Sequence, residues 1–179
     1  MSSSSVGPIR HVVNVRTLPA KGREVEPDAD AEERAALARH LGVPEVAAFR
    51  ADAEITPWRA DGVRVTGRLR AALTQECVVT LDPLDATIDT PFEALFVPAD
   101  SRLARPLEPS ELVLDAEGDD PPDTFEGDTL DLGLVWVEHL VLALDPFPRK
   151  PGAELTGSDD APRESPFAAL AALRTDRGD

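Results

Sequence analysis

The sequence predicts an α+β protein: an antiparallel sheet with one face covered by a buried helix from the C-terminal half, plus a peripheral N-terminal helix and a short C-terminal helix. Three observations carry that expectation. The run from Val63 to Leu81 alternates apolar and polar residues at period two, the pattern of a strand with one buried and one wet face. The segment Leu130 to Leu144 is apolar nearly all round, which a helix tolerates only when largely buried. Asp30, Glu32 and Glu33 at one end and Arg39, His40 and Gly42 at the other bracket an earlier helix by charge and capping chemistry.

In chain order, residues 1–8 read as a disordered tail and residues 9–152 as a single domain. Arg10 to Leu18 alternates and is rich in β-branched residues, so a strand is expected, ended by Pro19 and Gly22. The helix of residues 28–42 follows, with Leu37, Ala38 and Leu41 as its buried stripe. Val46 to Trp58 is the second strand, and Arg59-Ala60-Asp61-Gly62 turns it into the long strand Val63–Leu81. Nineteen residues is long for one strand, so a bend or bulge is expected near Gly67 or Gln75. A turn at Asp82-Pro83-Leu84-Asp85 leads into a strand from Ala86 to Val97, with Pro91 at an edge or bulge. Residues 98–129 hold five prolines and much of the acidic charge, which reads as a solvated, partly disordered loop. After the helix from Leu130 to Leu144, residues 153–165 form a polar linker, and Ser165 to Arg174 a short helix with Ser at the cap and Pro at the first position.

Composition restricts the class of function. With 179 residues, 42% hydrophobic and 29% charged, the chain is globular and can bury one sizeable core. Leu130–Leu144 is too short and, with Asp131, Glu138 and His139, too polar to cross a bilayer. The N-terminal residues show no basic region followed by an apolar run, so no signal peptide is expected. One cysteine, Cys77, excludes an intramolecular disulfide and a Cys-rich zinc site. A reducing cytoplasm is the expected location. The net charge is −16, distributed unevenly: residues 1–105 carry 13 Lys/Arg and 16 Asp/Glu, whereas residues 106–148 carry 12 Asp/Glu and no Lys or Arg. Such a balance opposes sequence-independent grip on a phosphate backbone and suits a basic protein partner.

No residue constellation announces a chemistry. His11, His40 and His139 are scattered, and adjacent Glu138 and His139 point apart on a helix. No HExxH, GxSxG, GxxxxGK or GxGxxG pattern occurs. Cys77 falls on the apolar parity of the long strand, where a thiol behaves as a small hydrophobe with a raised pKa. The carboxylates between Glu108 and Asp131 lack calcium-loop spacing. The sharpest candidate is Arg64, Arg68 and Arg70, which share the wet face of one strand. Guanidiniums in such a row bond successive phosphates in a bidentate manner. The alternative is pairing with carboxylates across the sheet, for instance Glu54, Asp89 or Glu93.

Three segments resemble the YceD family, the large ribosomal RNA subunit accumulation proteins. They are Val65 to Leu84, with Cys77 and the Asp82-Pro83-Leu84 turn; Leu130 to Arg149, with its buried helix and Pro-terminated end; and Pro166-Phe167-Ala168-Ala169-Leu170-Ala171-Ala172-Leu173. The resemblance implies a non-enzymatic role in ribosome biogenesis. The partner would be large-subunit ribosomal RNA or a pre-ribosomal particle, or a basic ribosomal protein held without RNA contact; an unrecognised hydrolase is the remaining alternative. Many members carry two Cys pairs suited to a metal. Here the first reads Cys77-Val78-Val79-Thr80 and the second Pro148-Arg149-Lys150-Pro151, so zinc is not carried over and no cofactor, membrane or small-molecule substrate is expected.

Overall fold

The computed structural model describes residues 7–104 and 121–154, and its largest feature is a meander of three long strands. These are β3 (Glu45–Trp58), β4 (Gly62–Glu76) and β5 (Pro83–Pro98), each antiparallel to the next. Ahead of them lie β1 (Val12–Asn14), β2 (Arg23–Val25) and helix α1 (Ala31–Leu41); after them come β6 (Asp123–Phe125), β7 (Thr129–Asp131) and helix α2 (Leu132–Ala143). The five-stranded sheet runs β2-β3-β4-β5-β6, and β1 pairs with β7 in a separate two-stranded ladder. The molecule is α+β with an antiparallel meander, and one parallel pair closes its edge, β5 with β6.

The period-two pattern dictates how the sheet faces its surroundings. Val65 and Leu69 on β4 are wholly buried, as are Ala51 and Ile55 on β3. Ile88, Phe92 and Phe96 on β5 oppose Ala71, Gly67 and Val63 and extend the same apolar face. The Phe92 ring lies 5.3 Å from that of His139 on α2, so α2 approaches this face. Leu132, Trp136 and Leu140 are inaccessible to solvent and join the strand residues in one cluster. Removing that apolar area from water is the main favourable term available to the fold.

Local chemistry explains the boundaries. Asp30 caps α1, accepting from the Glu32 and Glu33 amides at 2.8 and 2.9 Å, while Glu33 returns a carboxylate to the Asp30 amide. This reciprocal box satisfies donors that the first turn leaves open. Gly42 ends the helix in the left-handed region. Leu37 and Ala38 are buried beneath it and Leu41 is partly so. At the start of α2, Asp131 accepts from the Gly133 amide at 3.0 Å and the His11 amide at 2.9 Å.

Several expectations are corrected. The first strand covers only Val12–Asn14, because the Asn14 side chain accepts from the Arg16 and Thr17 amides and turns the chain. The long strand ends at Glu76 rather than Leu81. Cys77 N donates to Asp82 O at 2.8 Å and Leu81 N to Cys77 O at 2.9 Å, closing a turn in which Leu81 has φ 62°. Val79 and Leu81 therefore leave the core parity, and β5 begins at Pro83 instead of Ala86. The bulge lies on the partner strand, between Val46 and Ala48. Gly67 serves another purpose: a Cβ there would stand 2.0 Å from Asp52 O, so glycine permits the close approach of β3. Pro91 sits on β5 where no second strand pairs with it. Within 98–129, residues 98, 123–125 and 129 are strand, not loop. Residues 1–6, the middle of that segment, and the C-terminal helix expected at 165–174 lie outside the described residues.

Two turns meet at one end of the sheet. Val78 N donates to Pro148 O at 2.9 Å and Lys150 N to the Cys77 sulfur at 3.4 Å. Lys150 Nζ reaches Asp82 at 3.1 Å, and the buried Gln75 amide donates to Asp145 O at 2.9 Å. These bonds clasp the β4–β5 turn to the segment that follows α2.

Candidate functional site

Arg64, Arg68 and Arg70 stand together on the wet face of β4, as their parity requires, and each is about half exposed. None is free. Arg64 Nε lies 3.3 Å from Glu93. Arg68 is bonded to Asp89, and Arg70 to Asp52 with a second approach to Asp89 at 4.0 Å. Arg50 on β3 extends the array, contacting Asp52 at 3.1 Å, Glu26 at 2.9 Å and Asp28 at 3.5 Å. Alternating charges thus run from Glu26 and Asp28 through Arg50, Asp52 and Arg70 to Asp89 and Arg68. Arg70 first and Arg50 second hold the Asp52 carboxyl below its ordinary range.

The strand register shows why. Pairing outward from the Arg59–Asp61 turn sets Arg68 opposite Asp52 and Arg70 opposite Arg50. On the other side Arg70 faces Asp89 and Thr66 faces Glu93. The expected partners Asp89 and Glu93 are used, whereas Glu54 faces Glu24 and Thr66. The parity of β4 alone does not point to Asp52 and Arg50; counting residues back from the Arg59–Asp61 turn does. This face of β2–β5 carries four arginines and eight carboxylates, Glu24, Glu45, Asp52, Glu54, Glu76, Asp85, Asp89 and Glu93. It is net acidic.

The other candidates do not converge. His11 packs 5.3 Å from the Trp136 ring, His139 Nδ1 lies 2.9 Å from Val135 O, and His40 is exposed at the end of α1. Among the described residues no three of His, Cys, Asp or Glu gather as metal ligands would. The expectation for Cys77 is reversed. Its side chain is buried, which opposes ionisation, yet the Lys150 amide, the Thr80 hydroxyl and the Thr80 and Val79 amides point at the sulfur and lower its pKa to about 6. Hydrogen bonds to the charged form outweigh desolvation here. Among the described residues no helix is long and apolar enough to cross a membrane.

No curated protein and no solved structure matches the chain. One family model does, that of the large ribosomal RNA subunit accumulation protein YceD, over residues 65–174. The match takes in β4 from Val65 onward, β5, the clasped turns and α2, more than half of the sequence. The chain therefore belongs to the YceD family, whose name ties it to accumulation of large-subunit ribosomal RNA.

Proposed function

We propose that this chain is a non-catalytic, cytoplasmic ribosome-biogenesis factor that supports large-subunit ribosomal RNA accumulation as an acidic adaptor, holding a basic protein of the assembling particle. The observation that carries the reading is the pairing of Arg64, Arg68 and Arg70 with Glu93, Asp89 and Asp52. A guanidinium row that grips phosphates must present free donors; here a phosphate would have to displace a carboxylate and then meet the carboxylates that remain. Eight carboxylates against four arginines on that face, with a chain net charge of −16, suit a cationic partner. No cofactor enters this reading.

The test is co-sedimentation with precursor large-subunit particles followed by crosslinking. The triple variant Arg64→Gln/Arg68→Gln/Arg70→Gln should stay on the particles, and the wild type should crosslink to protein. Direct RNA contact by these arginines is the competing reading. It prevails if the triple variant dissociates and the salt dependence of binding flattens by a slope of about one per arginine removed.

A further inference from the structure

The end of the sheet that carries the β3–β4 turn holds an open groove of about 730 Å³. Val15, Leu18, Val63 and Phe125 line it with apolar surface, and the last two are buried members of the core. Asp61, Asp100, Glu126 and Asp128 also line it, and all four are exposed. Its single cation, Arg16, is bonded to Asp128 at 3.3 Å. Asp61, Asp100 and Glu126 have no salt-bridge partner among the described residues. Arg59 and Arg102 border the adjoining cleft, the former stacked over the Trp58 indole at 4.4 Å.

We infer that this groove is where the adaptor holds its partner, and that the occupant is a protein segment alternating Lys or Arg with apolar side chains. The inference rests on the adaptor reading and gives it a location. An apolar floor needs apolar side chains to cover it, and unpaired carboxylates around it favour cations while repelling phosphates. The sheet-face array lacks this combination, because its arginines already use Asp52, Asp89 and Glu93. Residues 105–120 of the chain itself are a poor occupant: they contain six carboxylates and one arginine, so they repel the groove.

The full-length chain is titrated with a short fluorescein-labelled peptide alternating lysine or arginine with leucine or valine. Neutralising the groove with Asp61→Asn/Asp100→Asn/Glu126→Gln should weaken binding by about tenfold or more at low salt, and raised salt should erase the difference. The control Glu32→Gln/Glu154→Gln, two exposed carboxylates outside the groove lining and outside the sheet face, should bind as wild type does. A peptide with serine at the apolar positions should bind wild type about tenfold more weakly, since the floor then has no apolar surface to cover. Equal binding by the groove variant and wild type, or by the two peptides, would overturn the assignment. The particle assay separates this failure from that of the adaptor reading. If the groove variant still crosslinks to the same protein, the adaptor reading stands and the groove is wrong. If wild type crosslinks only to RNA, the adaptor reading falls whatever the peptide does.

Discussion

Cys77 shows how one residue's surroundings can reverse what its place in a pattern suggests. Its odd parity put it in the core of a strand, where a thiol is neutral. The strand ends one residue earlier, and the turn that replaces it aims amides and a hydroxyl at the sulfur. A thiol lowered from an ordinary 9.0 to about 6 contributes stability that is fully present above the unfolded value and is lost as pH falls through the folded one. The urea midpoint of wild type relative to Cys77→Ala should therefore rise between pH 6 and pH 9. Thr80→Val should shrink that rise, and a difference independent of pH would show that the sulfur stays protonated. Gly133 raises a different single-residue question. A Cβ there would lie 2.1 Å from Ile9 O and 3.2 Å from Arg10 Cα, backbone atoms that cannot swing aside. Gly133→Ala should cost about 3 kcal/mol in urea unfolding, through strain at the α2–β1 junction. Neither the Lys150 amide at the Cys77 sulfur nor the contact of Gly133 with Ile9 is visible in the sequence, because each joins residues distant along the chain.

Whether an element was legible depended on its length and on the locality of its signals. The long strands and both helices announce themselves, since a dozen residues average out exceptions and the caps lie within four residues of one another. Asp30 and Glu33 form the box that their spacing suggests. The three-residue strands β2, β6 and β7 carry too few positions for any period to register, and the parallel pairing of β6 with β5 has no local code. In α2 the apolar run does not reveal which side is buried, because Leu140 is inaccessible while Leu142 is 76% exposed. Leu140→Asp should therefore destabilise by about 4 kcal/mol or more, placing an unpaired charge in packed surroundings. Leu142→Asp should change stability by less than about 0.5 kcal/mol. Thermal melts in which Leu142→Asp is the more destabilised variant would show that α2 is packed on the opposite side.

At the scale of the whole molecule, fold class and family were legible, while the state of the arginine face was not. Parity placed Arg64, Arg68 and Arg70 side by side correctly, but which carboxylates meet them depends on register across three strands, a sheet-wide property. A row of cations in sequence thus became an alternating array in space, which changes the class of partner it suits. The clasp between the β4–β5 turn and the segment after α2 has a consequence of another kind. It anchors α2 at its C-terminal end, as Asp131 and the β1–β7 ladder anchor it at the other. A helix of 12 residues held at one end would fray and exchange its amide hydrogens by local opening. Pinned at both ends, the buried turns of α2 should exchange only when the entire protein unfolds, with a protection free energy equal to that from urea unfolding. Lys150→Ala with Gln75→Leu should release the last turn alone, so that the amides of residues 140–143 exchange early while those of β4 keep full protection. Simultaneous loss of protection in both would show that the clasp holds the sheet rather than the helix.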